Sequence, residues 1–423
     1  MRKGKLFTLL VGVLLVLFLV LVAFSQSPTP AQSSGQVKTI NIGATEVITG
    51  PGAYTGLAVK KFLDVLVEDF NKSGGVTIQG QRYNINLIFE DDKWSADGGR
   101  AAIEKLVYKD KVSAVVCTAA AAAVMAGLDI TEPNKIPFIC ETGDPRVLDP
   151  KYKYVFSTSM LREIYNMEWG WLAKNRPDIK KVMLLATDDI MGHNDVTTQT
   201  AAMKAFGIVP MDTLYYARTQ PDLSPVGTKV KAANPDTVAG AGLLAGGPQA
   251  ALLKALYQAG WRGVKTNGPG ISMPDNLEIA GKEALEGWVG PIMDASGLSN
   301  PPTSYLKLKQ LYEAKYGTGS WDRDRVAINI QWVTAWYFLP EALKKANSLS
   351  PDAIISALQG MSVDTPIGKL QLIVPPERND NPRTVECVGE IAMGQIKDGK
   401  MNLVGIISTD DALKYIQTVY KRK

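Results

Sequence analysis

The chain has 423 residues, enough for two or three domains with sizeable cores, which excludes a peptide-sized scaffold. Charged residues make up 21%, the hydrophobic set 46% and aromatics 8%, a globular composition that excludes disorder, collagen and a disulfide-dense miniature. The formal charge is +4, but Arg2, Lys3 and Lys5 sit in the first five residues; without them 43 basic face 42 acidic groups, so the body lacks the basic surplus that nucleic-acid binding needs.

Those three bases precede an uncharged run from Leu6 to Phe24, the pattern of an export signal with a basic start and an apolar core. Ala23-Phe24-Ser25 sets small residues at the positions read for a cut before Gln26. At about 1.5 Å per residue the run nearly spans a bilayer, so an uncleaved anchor is the alternative. No cysteine stands near its end, which closes the usual route to a lipoprotein. Gln26 to Gln36 is a Pro/Ser/Gln linker, and the folded body begins near Val37, outside the cytoplasm.

From there, strand-like apolar runs alternate with helical patterns, the signature of βαβ units and parallel sheets. The first set of strands is Thr39 to Val47, Tyr83 to Asp91, Val112 to Cys117 and Ile136 to Cys140. Helices are predicted near Gly56 to Lys72, Ala96 to Lys109 and Ala121 to Glu132; in the first, Leu57, Phe62, Leu63, Leu66, Val67 and Phe70 draw one buried stripe. A second set repeats the design, with strands at Lys181 to Ala186, Ile208 to Tyr216, Thr237 to Leu244 and Val264 to Gly270. Its helices fall near Asp195 to Phe206, Pro225 to Ala233 and Pro248 to Gly260. Long helices follow at Pro302 to Tyr316, Arg325 to Ala346 and Pro351 to Met361. The tail from Pro366 to Ile407 reads as strands with an Asp398-Gly399 turn, before a last helix from Asp410 to Tyr420.

Catalytic motifs are missing where chemistry would need them. Gly50 to Gly56 follows a strand and opens a helix, but its glycines miss the GxGxxG spacing and no acid ends a second strand about 20 residues on. His193, the one imidazole, is placed in a loop after a strand, and GxSxG, HExxH, an EF-hand loop and GxxxxGK[ST] do not occur. No catalytic, metal or cofactor residue is assigned. Asp91-Asp92 and Asp188-Asp189 stand at strand ends, where helix capping competes with acid–base work. The alanines Ala119 to Ala123 either follow helix propensity or leave room in a cleft. Three cysteines make no CxxC, and Cys117 and Cys140 end adjacent predicted strands, where they either pair or stay buried as thiols.

Several pieces, in this order and spacing, resemble the leucine/isoleucine/valine-binding proteins, the type I periplasmic solute receptors of ABC importers. They are Ile40 to Ala44; Thr49-Gly50-Pro51 with Tyr54 and Gly56; Val67 to Gly75; Phe89 to Asp92; Lys135 to Ile139; Ala259-Gly260 before Gly268-Pro269; and Glu286-Gly287. The resemblance covers about residues 38 to 410 and implies an α/β fold of two Rossmann-like lobes with parallel sheets, joined by three crossovers, with the solute between them. Crossovers are expected near Thr158 to Leu161, Ile292 to Ala295 and Val363 to Ile367. Residues 37–159 plus 293–364 then form lobe 1, and 160–292 plus 365–423 form lobe 2.

The resemblance implies a ligand site of Tyr54, Trp94, Thr118, Ala119, Ala121, Thr142, Asp144, Met191, Ala245 and Gly270. It departs from the amino-acid binders. The hydroxyl that holds a ligand carboxylate falls within Ala121 to Ala123, aromatics give way to Met191 and Ala245, and the Glu that pairs the ligand ammonium becomes Gly270. Asp144 replaces a neutral residue and is the relocated partner an ammonium would need. The reading is therefore an extracytoplasmic, monomeric receptor for an ABC importer permease, without enzymatic activity or cofactor. Its ligand is expected to be a small organic carboxylate, with a branched-chain amino acid as the alternative. A membrane-anchored sensory domain and, further off, an exported α/β enzyme are the rivals from other classes.

Overall fold

The computed structural model describes residues 36–420 except 51–52, 160, 219, 243–245, 269, 272, 293–294, 296–297, 299, 326–329, 374–383 and 388–389. Its first sheet is built from β1 (Lys38–Glu46), β2 (Val76–Ile78), β3 (Gln81–Asp91), β4 (Ala114–Val116), β5 (Phe138–Cys140) and β6 (Val155–Ser157), in the order β2-β3-β1-β4-β5-β6. Pairing of β1 with β4, β4 with β5 and β5 with β6 is parallel. Helices α1 (Ala53–Lys72), α2 (Ala96–Glu104) and α3 (Ala121–Thr131) connect them. The apolar stripe of α1 buries Val59, Phe62, Leu63 and Leu66, and Gly74 and Gly75 end the turn beyond it at φ of 109° and 65°. Alpha-helical bonding gives way after α2 to a π-helical turn over Lys105–Lys109.

The chain leaves this sheet after β6 through α4 (Leu161–Asn175) and enters a second sheet. There β7 (Lys181–Thr187), β8 (Val209–Pro210), β9 (Leu214–Tyr216), β10 (Thr237–Ala241) and β11 (Val264–Thr266) run β11-β10-β7-β8, with β9 also paired to β7. The run Ile208 to Tyr216 is thus two short strands, both parallel to β7. Helices α5 (Ile190–Ala205), α6 (Ser224–Ala233) and α7 (Gly246–Gln258) connect these strands, followed by the short α8 (Met273–Ala280) and α9 (Lys282–Leu285). Then β12 (Val289–Ile292) pairs antiparallel with a later strand.

Past β12 come α10 (Thr303–Tyr316), α11 (Ser320–Asp324), α12 (Thr334–Ala346) and α13 (Pro351–Leu358). The single long helix expected from Arg325 to Ala346 is instead a 3-10 turn at Ile330–Val333 leading into α12. Strands β13 (Ser362–Thr365), β14 (Gly368–Ile373) and β15 (Thr384–Cys387) form one antiparallel sheet, and β16 (Ile391–Lys397) and β17 (Lys400–Ile407) form the hairpin that takes up β12. The Asp398-Gly399 turn of that hairpin has both φ values positive, 53° and 72°. Helix α14 (Thr409–Tyr420) closes the chain and packs on α4 and α5.

Val363 to Ile367 is the tight link of the β13–β14 hairpin, in which Thr365 pairs with Gly368, and β15 lies against β6. The β13–β14 ladder spans residue 364, and β16 joins β12 and β17 in a separate sheet. Of the two readings of the cysteines, the structure has the buried thiols: Cys117 and Cys140 are both buried and free. Val115 and Phe138 face one core cluster and Val116 and Ile139 the other. Alternation carries Cys140 to the first face, but a left-handed φ of 60° turns Cys117 to the opposite one.

Residues Thr39–Lys423 form one compact unit. Among the described residues no helix is long and apolar enough to cross a membrane, and the apolar run Leu6 to Phe24 lies outside them.

Candidate functional site

Parallel strands bring their carboxyl ends to one edge of a sheet, and the loops leaving that edge are where α/β folds place ligands. In the first sheet this edge is unusually acidic. Glu46 ends β1, Asp92 follows β3 and Glu141 follows β5, and each side chain is inaccessible to solvent or nearly so. Glu46 accepts a hydrogen bond from the Ala119 amide at 3.0 Å. Thr45 donates to Asp92 at 3.2 Å and meets the Thr118 hydroxyl at 2.9 Å. Glu141 Oε1 gathers the Thr158 hydroxyl, the Thr334 hydroxyl at 2.8 Å and the Ala335 amide at 2.9 Å, so it caps α12 and holds the start of the first crossover.

Burial raises the pKa of all three carboxyls. Glu46 lies well above the usual carboxylate range because it is desolvated and faces Asp92 and Glu141, against which the Ala119 amide and the Trp94 indole act. Desolvation pushes Glu141 up to about 8 and Asp92 up to about 6. Cys117, between them, is raised by burial and by both glutamates. The second oxygens of Glu46 and Glu141 meet no hydrogen-bond donor among the described residues.

Several helix starts that follow strands of the two sheets differ in one respect. Ser95 caps α2 through the Gly98 amide, Asp189 caps α5 through the Gly192 amide, and Asp144 caps the 3-10 turn Pro145–Leu148 through the Arg146 amide. Helix α3 begins at Ala121 behind Ala120, which has no side-chain cap, and its first turn carries no acid. Its leading N–H groups are thus left for an external acceptor.

The predicted residues fall on these loops unevenly. Trp94, Thr118, Ala119, Ala121 and Thr142 come together around the acidic edge; Trp94 is half exposed and meets Trp332 edge-on at 6.5 Å between centroids. Tyr54 stands exposed in the first turn of α1. In the second sheet Met191 is half-buried in the first turn of α5, and Gly270 is a buried turn residue at φ 90° whose carbonyl accepts from Gln249 and Asn267. Ala245 lies outside the described residues.

Two expectations are corrected. Asp144 is no free ammonium partner: Arg146 clasps both its oxygens, with Nη2 at 2.6 Å and Nε at 3.0 and 3.1 Å. His193 lies within α5 rather than in a loop, and reaches the Asp188 carboxylate at 2.9 Å. The sequence reading passed over Glu46, Glu141 and Thr334. For the glutamates the signal was an ionisable residue at the end of an apolar strand, where solvated loops are the usual alternative; for Thr334 there was none. It also passed over Asp195, which binds the Tyr165 hydroxyl at 2.8 Å and the Gly242 amide at 2.7 Å and so ties α4, α5 and the end of β10 together.

The sequence model of the family described as periplasmic binding protein matches residues 39–400. The chain belongs to that family. It is 28% identical over 258 residues to a Leu/Ile/Val-binding protein homolog of Brucella melitensis, covering 60% of this chain and 67% of that one. A solute-binding protein of an ABC transporter from R. palustris, solved with benzoate, superposes with a TM-score of 0.70 over 88% of this chain and 96% of that one, at 19% identity. A leucine-binding protein of Thermotoga maritima does so with a TM-score of 0.70, over 88% and 99%, also at 19% identity. The fold of this family member is therefore the α/β architecture of the type I periplasmic binding proteins. Among its described residues no group of three or more His, Cys, Asp or Glu could hold a metal ion.

Proposed function

We propose that this protein is an exported, extracytoplasmic receptor that delivers a small organic carboxylate to an ABC importer, acting as a monomer and without turnover. The observation that carries the reading is the uncapped start of α3 at the carboxyl edge of the first sheet, next to Thr118 and Thr142. A carboxylate seated on its free amides gains hydrogen bonds and a favourable helix dipole. Family membership supports the receptor role, and benzoate in a fold relative supports the ligand class. Lobes 1 and 2 would close over the ligand by a hinge motion.

An amino acid is the second reading, favoured by the Leu/Ile/Val-binding homolog. Against it stand Asp144, already neutralised by Arg146, and Gly270, which offers no carboxylate to an ammonium. Burying an ammonium without its partner costs on the order of 2–5 kcal/mol.

Thermal unfolding against benzoate, hydroxybenzoates, aliphatic carboxylates, leucine, isoleucine and valine tests the proposal. A cognate ligand at a hundred times its dissociation constant stabilises the fold by about 2.7 kcal/mol. Stabilisation by leucine with none by the carboxylates would overturn it.

A further inference from the structure

A receptor for anions is expected to offer basic groups to them, yet the floor beneath α3 is acidic. Glu46 meets the Ala119 amide directly before the α3 start, and its other oxygen is buried without a donor among the described residues. Asp92 from the loop after β3 and Glu141 from the loop after β5 raise its pKa, the Ala119 amide and the Trp94 indole act against them, and Cys117 feels the charges of both glutamates. Behind Asp92 lies Asp91, held by the Ile48 amide at 3.0 Å and by the Thr49 hydroxyl at 2.5 Å. Facing Glu141 from α12 and the crossover are hydroxyls and an amide, and among the described residues no lysine or arginine acts on Glu46, Asp92 or Glu141. Lys93 acts on Asp91 alone of this set.

Resting on the carboxylate reading above, we propose that capture of an organic anion at the α3 start is proton-linked: the floor formed by Glu46, Asp92 and Glu141 takes up protons from solvent as the anion binds. Glu46 is raised by the charges of Asp92 and Glu141 as well as by its burial, and a further negative charge placed over buried carboxyls favours their protonated forms. Protons enter from water or buffer; no covalent bond changes. Burial, which already raises all three pKa values, leaves the floor partly protonated near neutrality, so that an anion is admitted at all. By linkage the same coupling makes the anion bind more weakly as the pH rises and the floor ionises.

Isothermal titration calorimetry with benzoate, in buffers of different ionisation enthalpy from pH 6 to 9, reads the number of protons directly. Uptake of roughly half to one proton per benzoate is expected, with affinity falling by up to about tenfold per pH unit where the floor ionises. In Glu46→Gln and in Glu141→Gln the proton number should drop and the pH profile flatten. Benzoate binding with no proton uptake and a level affinity from pH 6 to 9 overturns this inference and leaves the carboxylate reading standing. Absence of benzoate binding at millimolar concentration, with leucine bound instead, overturns both.

Discussion

Glu46 and Ala119 are 73 residues apart in sequence and joined by one hydrogen bond of 3.0 Å, from the Ala119 amide to the Glu46 carboxyl. That bond ties the end of β1 to the start of α3 and sets a buried acid beside a helix start that no side chain caps. Expectations about stability and binding follow from such junctions.

Glu141 is the junction between β5, the first crossover and α12. Glu141→Ala would leave the Ala335 amide without its acceptor and take one acceptor each from the Thr334 and Thr158 hydroxyls, of which Thr158 keeps the Cys140 carbonyl at 3.3 Å. Each buried group left without a partner costs about 1–3 kcal/mol, and water entering the new space recovers part of the sum, so a net loss of about 2–4 kcal/mol is expected in urea unfolding. Glu141→Gln keeps the acceptor and should cost less than half as much. Equal losses would show that the carboxyl's shape, rather than its hydrogen bonds, matters.

The buried acids also set how stability depends on pH. Glu141 moves from an ordinary value of 4.5 to about 8 and Asp92 from 3.8 to about 6. With folded values raised, the native state holds more protons than the unfolded chain in between, so the stability of the fold decreases as the pH rises through this window. The contribution is complete below about pH 4 and is lost by about pH 8. Urea unfolding at pH 5.5 should therefore give a free energy higher than at pH 8 by an amount on the order of 1–3 kcal/mol. A flat or rising profile across that interval would contradict the burial of these acids.

Gly270 separates the two ligand readings. It sits at φ 90° in a turn closed by its own amide on the Asn267 carbonyl at 2.8 Å. Gly270→Glu, which would restore the acid of the amino-acid binders, places a side chain in backbone space that L-residues adopt at a cost of about 1–2 kcal/mol. Reduced stability without a gain in leucine binding is the expected result. Tight leucine binding by the variant would show that only this one carboxylate was missing.

Gly99 positions the α3 start. A Cβ there would stand 2.4 Å from the Ala123 Cα, so α2 and α3 touch backbone to backbone directly behind the uncapped turn. Gly99→Val should cost about 1–3 kcal/mol by overpacking and, by displacing α3, weaken carboxylate binding beyond what the stability loss explains. Calorimetry on the folded variant at low temperature tells the two effects apart.

Much of the architecture was legible in the chain itself. The α1 stripe, the strands that end at Asp91 and Cys140, and the Asp398-Gly399 turn are local patterns: side-chain period and turn chemistry are properties of neighbouring residues. Signals failed where a contact came from far away. His193 read as a loop residue because Asp189, four positions earlier, caps a helix that has no apolar stripe to announce it. The β13–β14 hairpin read as a crossover because pairing partners leave no mark on either strand alone.

The sequence by itself determined the alternation of strands and helices, the near-neutral body and the family, since each depends on residue type and order along one short stretch or on the succession of such stretches. Only the tertiary structure decided the character of the site. Asp144 could be judged free or engaged only once Arg146 was seen folded back on it, and Cys117 could be denied its partner only once a left-handed backbone turned it to the other face of the sheet. Glu46, Asp92 and Glu141 are each an unremarkable acid at the end of a strand. They come to one buried edge because the strand order β3-β1-β4-β5 brings the ends of distant segments together, where desolvation raises each of them and Asp92 and Glu141 act on Glu46.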